Sequence, residues 1–206
     1  MTLPLIDTNL PDRLYRGKVR DTFDLGEGLL LMVATDRISA FDVVLPSGIP
    51  DKGYILSRMS VFWFNQTTNL ISNHMVGMAD DIADFPDLIN HPKLQSLPPE
   101  IARQAMVVKR AERVDVECVV RGYITGSAWA EYVKTGTVSG LAAPVGMQEG
   151  DMFDEPLFTP TTKAEIGHDE NISMEEVEVL AGKDIALRLK DLSIAIYKQA
   201  HDYAKS

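Results

Sequence analysis

Residues 29–35 read LLLMVAT, a continuous apolar run that predicts a β-strand buried on both faces. Gly26-Glu27-Gly28 joins it to a strand-like run over residues 14–25, so a β-hairpin is expected here. Within the first run, LYRGKVRD sets Arg16, Lys18 and Arg20 around Gly17. Such a cluster suits negative charge, most plausibly phosphate, and the glycine lets a ligand approach the backbone. A solvated strand edge is the plain alternative. Gly17 and Lys18 fall on the first strand or in the loop leading into it.

The surrounding chain makes this cluster unusual. Thirty acidic residues against 20 Lys and Arg leave a formal charge of -10 over 206 residues. That balance argues against a general nucleic-acid or anionic-membrane binder, so an anionic partner must be gripped locally. The single cysteine, Cys118, excludes an internal disulfide and fits a reducing compartment; its apolar alternating surroundings predict core packing. The N-terminus has no signal-like pattern and no run is long enough to span a bilayer, which makes a cytoplasmic protein the expectation.

After the hairpin, the polar segment Asp36-Arg37-Ile38-Ser39-Ala40-Phe41-Asp42 lies between apolar stretches and reads as a functional loop or as turn caps. Ile55, Met59, Phe62, Trp63, Gln66 and Leu70 recur at helical spacing, predicting a helix over residues 56–74 with its aromatics in the core. The acidic run Asp80, Asp81, Asp84, Asp87 matches no calcium loop and reads as exposed connection. A short helix is expected from Pro98-Pro99-Glu100, then consecutive strands over residues 105–109 and 114–120. The second strand carries Glu117 opposite the face of Val114, Val116, Cys118 and Val120. A subdomain crossing is expected near residues 109–113.

Gly126 precedes a helix over residues 127–135 with Ser127 as N-cap and Gly136 as stop. A helix start beside Arg121 is a standard seat for phosphate. Residues 139–172 read as a long ordered loop with short strands. Its Lys163, Glu165, His168, Asp169 and Glu170 form a mixed cluster that makes a poor zinc site. Ser173-Met174-Glu175-Glu176 is a capping box for a helix closing at Gly182, and a long amphipathic helix follows from Lys183.

The blocks LYRGKVRDTFD, TDRISAFDVVLPSGIPDKG, SRMSVFWF, MVVKRAERVDVECVVRGYITGSAW and EPLFTPTTKAEIGHDENIS together cover most of residues 14–173. Taken in this order they resemble the SAICAR synthetase family. The resemblance implies an α+β, ATP-grasp-related fold with antiparallel sheets, in two subdomains with a cleft between them. Residues 1–110 would form the ATP-binding subdomain and 111–206 an incomplete substrate-binding one. It implies an ATP-dependent ligase that joins L-aspartate to carboxyaminoimidazole ribonucleotide through an acyl phosphate, yielding ADP and phosphate.

By the same resemblance, Gly17, Lys18 and Arg20 belong to the loop over the ATP phosphates, with Lys18 the direct contact. Lys109 reaches the nucleotide, and residues 110–114, Glu112 among them, border the adenine. Glu117, Arg121 and Ser127 make the ribotide site, with Arg121 and Ser127 at its phosphate. Asp36, Arg37, Ser39 and Asp42 lie near the reacting carboxylate and aspartate, and Lys163, His168 and Asp169 share the cleft. ATP, the ribotide and aspartate are the expected partners, without nucleic acid or membrane. In the family, strands after the long helix carry the acidic residues that hold Mg²⁺. This sequence stops at Ser206, so those ligands, and the C-terminal part of the fold, are expected beyond it. Two other readings are a catalytically silent nucleotide-binding module and a kinase-like phosphotransferase, the latter without an H-R-D pattern.

Overall fold

In the computed structural model, residues 3–41, 43–83, 85–163 and 170–206 are described. Asp42, His168 and Asp169 therefore lie outside the described residues. The chain forms two compact units, Met1–Ala111 and Glu112–Ser206.

In the first unit the elements are β1 (Arg13–Arg16), β2 (Arg20–Gly26), β3 (Leu29–Ala34), β4 (Arg37–Ala40), β5 (Val43–Gly48) and α1 (Lys52–Gln66). They are followed by β6 (Met75–Met78), the single turns α2 (Pro86–Ile89), α3 (Pro92–Gln95) and α4 (Pro99–Ala102), and β7 (Ala105–Lys109). An antiparallel sheet runs β1-β2-β3-β7-β6, with β3 between β2 and β7. The predicted hairpin at Gly26-Glu27-Gly28 is present, all three residues at positive φ. The expected first strand, however, is two strands, because the chain reverses at residues 17–19 and pairs Arg16 with Asp21.

Alternation along these strands sorts the side chains onto two faces. Phe23, Leu31, Val33, Ala105 and Val107 pack with Leu88, Leu94 and Ile101 from the single-turn helices. Leu30, Met32, Met106 and Val108 face Val61 and Phe64 of α1. This helix begins earlier than periodicity predicts and ends at Thr67, whose hydroxyl donates to the carbonyl of Trp63. Its contact stripe is also rotated. Gly53 and Ser57 are buried, whereas Ile55, Met59 and Phe62 are exposed. Small residues let the helix approach the sheet so closely that a Cβ on Gly53 would stand 2.1 Å from the carbonyl oxygen of Ala34. The apolar stripe read from the sequence is therefore not the face that packs.

The second unit comprises β8 (Val116–Glu117), β9 (Val120–Tyr123), α5 (Gly126–Thr135), β10 (Thr137–Val138), β11 (Leu141–Ala142), β12 (Met152–Phe158) and β13 (Thr161–Thr162). Two helices close it, α6 (Met174–Ala181) and α7 (Lys183–Lys205). β9 pairs with β12 and β8 with β13, both antiparallel. The strand expected over 114–120 is thus interrupted, and the alternation that placed Cys118 in the core fails there: Cys118 is exposed. The capping box at Ser173 forms as predicted, with reciprocal bonds to Glu176. Val177 and Ala186 pack the two last helices together around Ile172.

Candidate functional site

The tip between β1 and β2 is a tight turn closed by Gly17 N–H donating to the Arg20 carbonyl at 2.7 Å. A Cβ on Gly17 would sit 3.0 Å from that same carbonyl oxygen, so glycine keeps the turn compact. All three carbonyls of the tip are engaged from within the unit. Arg37 donates from Nη2 to Gly17 O at 3.0 Å and from Nε to Lys18 O at 3.1 Å. Thr35 donates to Val19 O from its backbone N–H at 3.0 Å and from Oγ1 at 2.9 Å. With these oxygens tied inward, the lone pairs that would repel an anion are withdrawn from the tip, beside the exposed Lys18 and Arg20.

Asp36 and Arg37, expected near the reacting groups, are buried and bonded within the protein. Each is 3% exposed. Arg37 also donates to Ile6 O at 2.9 Å and to Asp21 Oδ1 at 2.6 Å, so four of its donors are spent inside the protein. Asp36 accepts from Gly53 N–H through Oδ1 and from Leu5 N–H through Oδ2, both at 2.8 Å. Arg37 thereby shapes the turn, and Asp36 anchors the start of α1. Ser39 is half-buried on β4, opposite Val44.

The residues expected around one nucleotide are split by the sheet. Arg20 pairs with Ala34 and borders a cavity of about 110 Å³ with Met32, Ser57, Phe64, His74 and Met106. Lys109 pairs with Leu29 and borders a different cavity, of about 580 Å³, with Leu25, Val76 and His91 on the opposite face. Period-two alternation on β7 makes this unavoidable, since Lys109 shares the side of Ala105 and Val107. Its side chain is thereby removed from the Arg20 group.

Two residues that motif reading passed over join Arg20. Burial lowers the Lys52 ammonium pKa, the neighbouring Asp36 opposes that fall, and Arg20 and Arg37 deepen it. Burial likewise lowers the His74 pKa, with the Arg20 charge adding to it. Both shifts mark a partly desolvated spot with positive potential at the α1 side of the sheet. A lysine directly after Asp51 at the start of a helix was the available signal for Lys52. His74 has no signal in the sequence.

The second unit has its own cationic site. Arg121 on β9 donates from Nη2 to Ser127 Oγ at 3.0 Å, in the first turn of α5. Ser127 is not the N-cap; that position is Thr125, which makes no side-chain capping bond. Glu131, one turn further on, is pushed up by burial but held below the usual carboxylate range by N–H and O–H donors from Gly140, Thr137 and Ser139, and by Arg121. Glu117 and Lys163 form an ion pair that links the paired strands β8 and β13. Glu112 is exposed. Among the described residues no three His, Cys, Asp or Glu side chains gather to hold a metal ion. Among them, too, no helix is long and apolar enough to cross a membrane.

Antiparallel sheets with flanking helices define an α+β protein. The chain belongs to the SAICAR synthetase family, whose model matches residues 13–206. It is 47% identical to a phosphoribosylaminoimidazole-succinocarboxamide synthase of Geotalea uraniireducens, over 99% of this chain and 67% of the relative. The enzyme of the same name from Pichia angusta is 48% identical, over 93% of this chain and 63% of its own. The solved SAICAR synthase of Saccharomyces cerevisiae complexed with SAICAR is 42% identical with a TM-score of 0.80, covering 99% of this chain and 66% of that one. The chain thus spans about two thirds of the length of these relatives.

Proposed function

We propose that this chain supplies the nucleotide and ribotide seats of an ATP-dependent carbon–nitrogen ligase that joins L-aspartate to carboxyaminoimidazole ribonucleotide, giving SAICAR, ADP and phosphate. The observation that carries the reading is the presence of an anion seat in each unit: Lys18, Arg20 and Lys52 around the Gly17 turn, and Arg121 with Ser127 at the start of α5. A reaction that draws on a nucleoside triphosphate and a sugar phosphate needs two such seats. Family membership supplies the identity of the substrates.

In this reading the turn holds the triphosphate by the cations Lys18, Arg20 and Lys52. Transfer of the γ-phosphoryl group to the ribotide carboxylate makes an acyl phosphate, and the aspartate amine displaces phosphate from it. Arg121 and Ser127 fix the ribotide through its phosphate. Glu117 lies on β8, the strand that precedes β9 in the chain. A divalent cation would accompany the triphosphate and offset its charge. The test is ADP release by the full natural chain, followed with and without ribotide and with and without aspartate. Turnover that needs both supports the reading; turnover indifferent to ribotide rules it out.

A further inference from the structure

We infer that the N-terminal segment of residues 5–8 is a positioning strap for the phosphate turn, an inference that rests on the nucleotide reading of that turn. The segment precedes residue 13, where the family match begins. Ile6, Asp7 and Thr8 bond to the β1–β2 hairpin or to a residue that holds the turn, and Leu5 ties the segment to Asp36, next to Arg37. Leu5 exchanges two bonds with Asp36, N–H to Oδ2 and carbonyl from the Asp36 N–H, both 2.8 Å. Ile6 O accepts from Arg37 Nη1 at 2.9 Å. Asp7 bonds Arg13 at 3.2 Å and pairs with Arg16, one at each end of β1. Thr8, 4% exposed, donates from Oγ1 to Asp21 Oδ2 at 3.0 Å.

These contacts converge on one guanidinium. Arg37 is fixed by Ile6 O and Asp21 Oδ1, and its remaining reach goes to Gly17 O and Lys18 O. Asp21 is in turn fixed by Thr8 and by Arg13, 3.4 Å away. Without the strap, Arg37 loses one anchor directly and its counter-ion loses another, so the turn carbonyls lose a rigid donor. Gly48 makes the path possible: a Cβ there would lie 2.9 Å from Ile6 Cγ2 and 3.0 Å from Pro4 Cβ. The strap positions Lys18 without touching the nucleotide, so its loss should weaken ATP binding and not the chemical step at saturation.

The test compares wild type, Thr8→Val, Asp7→Asn/Thr8→Val and Thr8→Ser in the full natural chain. Amide hydrogen exchange at Gly17 and ATP affinity by calorimetry are read together with thermal midpoints. The double variant is expected to exchange the Gly17 amide at least tenfold faster while Leu31 and Val33 of β3 keep their rates, and to bind ATP about five- to tenfold more weakly. The kcat at saturating ATP should stay within twofold, and Thr8→Ser should retain wild-type values. Unchanged Gly17 exchange, or a lowered midpoint with unchanged ATP affinity, would overturn the strap. Lys18→Ala separates the two claims. If it weakens ATP binding and the strap variants do not, only the strap fails; if wild type binds no ATP, the nucleotide reading fails whatever the exchange data show.

Discussion

Arg37 and Asp21 meet at 2.6 Å with side chains 4% and 0% exposed, on an arginine whose other donors hold the backbone of the Gly17 turn. A pair so fully desolvated is a weak source of net stability but a severe loss when one partner goes, since a buried charge is then uncompensated. It makes Arg37 a scaffold for the Gly17 turn.

Arg37→Ala is therefore expected to destabilise the protein by about 3–5 kcal/mol in urea unfolding, the range for breaking a buried pair. Adding Asp21→Ala removes the stranded carboxylate and should recover part of that loss. Additive losses in the double variant would mean the two charges are not coupled.

The two glycines with the least room should differ in cost. At Gly53 the added Cβ meets the backbone carbonyl of Ala34, which is held in the sheet; at Gly122 it meets the Tyr197 hydroxyl, 1.8 Å away at the end of a side chain that can rotate. Gly53→Ala should lower stability by roughly 2–3 kcal/mol, the upper part of the overpacking range. Gly122→Ala should cost less, and Tyr197→Phe should relieve some of it. Chemical denaturation of the three variants decides the order.

Strand alternation places Arg20 and Lys109 on opposite faces, a relation that nucleotide affinity can read. Arg20→Ala is expected to weaken ATP binding roughly tenfold or more, as for loss of a charge-assisted contact. Lys109→Ala should leave ATP affinity within twofold. A comparable loss in both would place the nucleotide across the sheet edge and refute the face assignment.

Much of this was legible in the sequence where the signal is local. The apolar β3 run, the hairpin at Gly26–Gly28 and the Ser173 capping box each follow from neighbouring residues. What escaped depended on partners far along the chain. Arg37 is a buried anchor because Gly17, Lys18 and Ile6 offer it carbonyls, and carbonyls leave no mark in a sequence. The α1 face was misread because close helix-on-sheet packing selects Gly53 and Ser57, while hydrophobic periodicity follows Ile55, Met59 and Phe62. Family motifs name Arg20 and Lys109 together, and strand register separates them.

Asp7 carries a pH dependence with a defined sign. The Asn9 N–H, then Arg16 and Arg13, hold its carboxyl at about 2 against an ordinary 3.8, with desolvation opposing them. A depressed folded pKa gives stability that is present above the unfolded pKa and lost as pH falls through the folded one. Between roughly pH 4 and 2, wild type should lose stability more steeply than Asp7→Asn, whose amide does not titrate. Equal slopes in denaturant titrations across that window would mean the carboxyl is not held in solution.

Arg121 and Ser127 share one hydrogen bond at 3.0 Å, and an arriving phosphate would accept from both. Arg121 supplies charge and a forked donor, whereas Ser127 supplies a single hydroxyl at a helix start. Arg121→Ala should therefore raise the KM for ribotide by roughly 10- to 100-fold, in line with loss of a hydrogen bond to a charged group, and leave the KM for ATP within twofold. Ser127→Ala should raise the ribotide KM less, and Arg121→Lys should restore only part of the loss because it keeps the charge without the fork. The nearby Glu131 sharpens the comparison. Its carboxylate is held ionised by Gly140, Thr137 and Ser139 as well as by Arg121, so it remains charged when the arginine is removed and repels the phosphate. Glu131→Gln in the Arg121→Ala background should accordingly recover some ribotide affinity. Equal losses for ATP and ribotide in Arg121→Ala would contradict a ribotide-phosphate role for this pair.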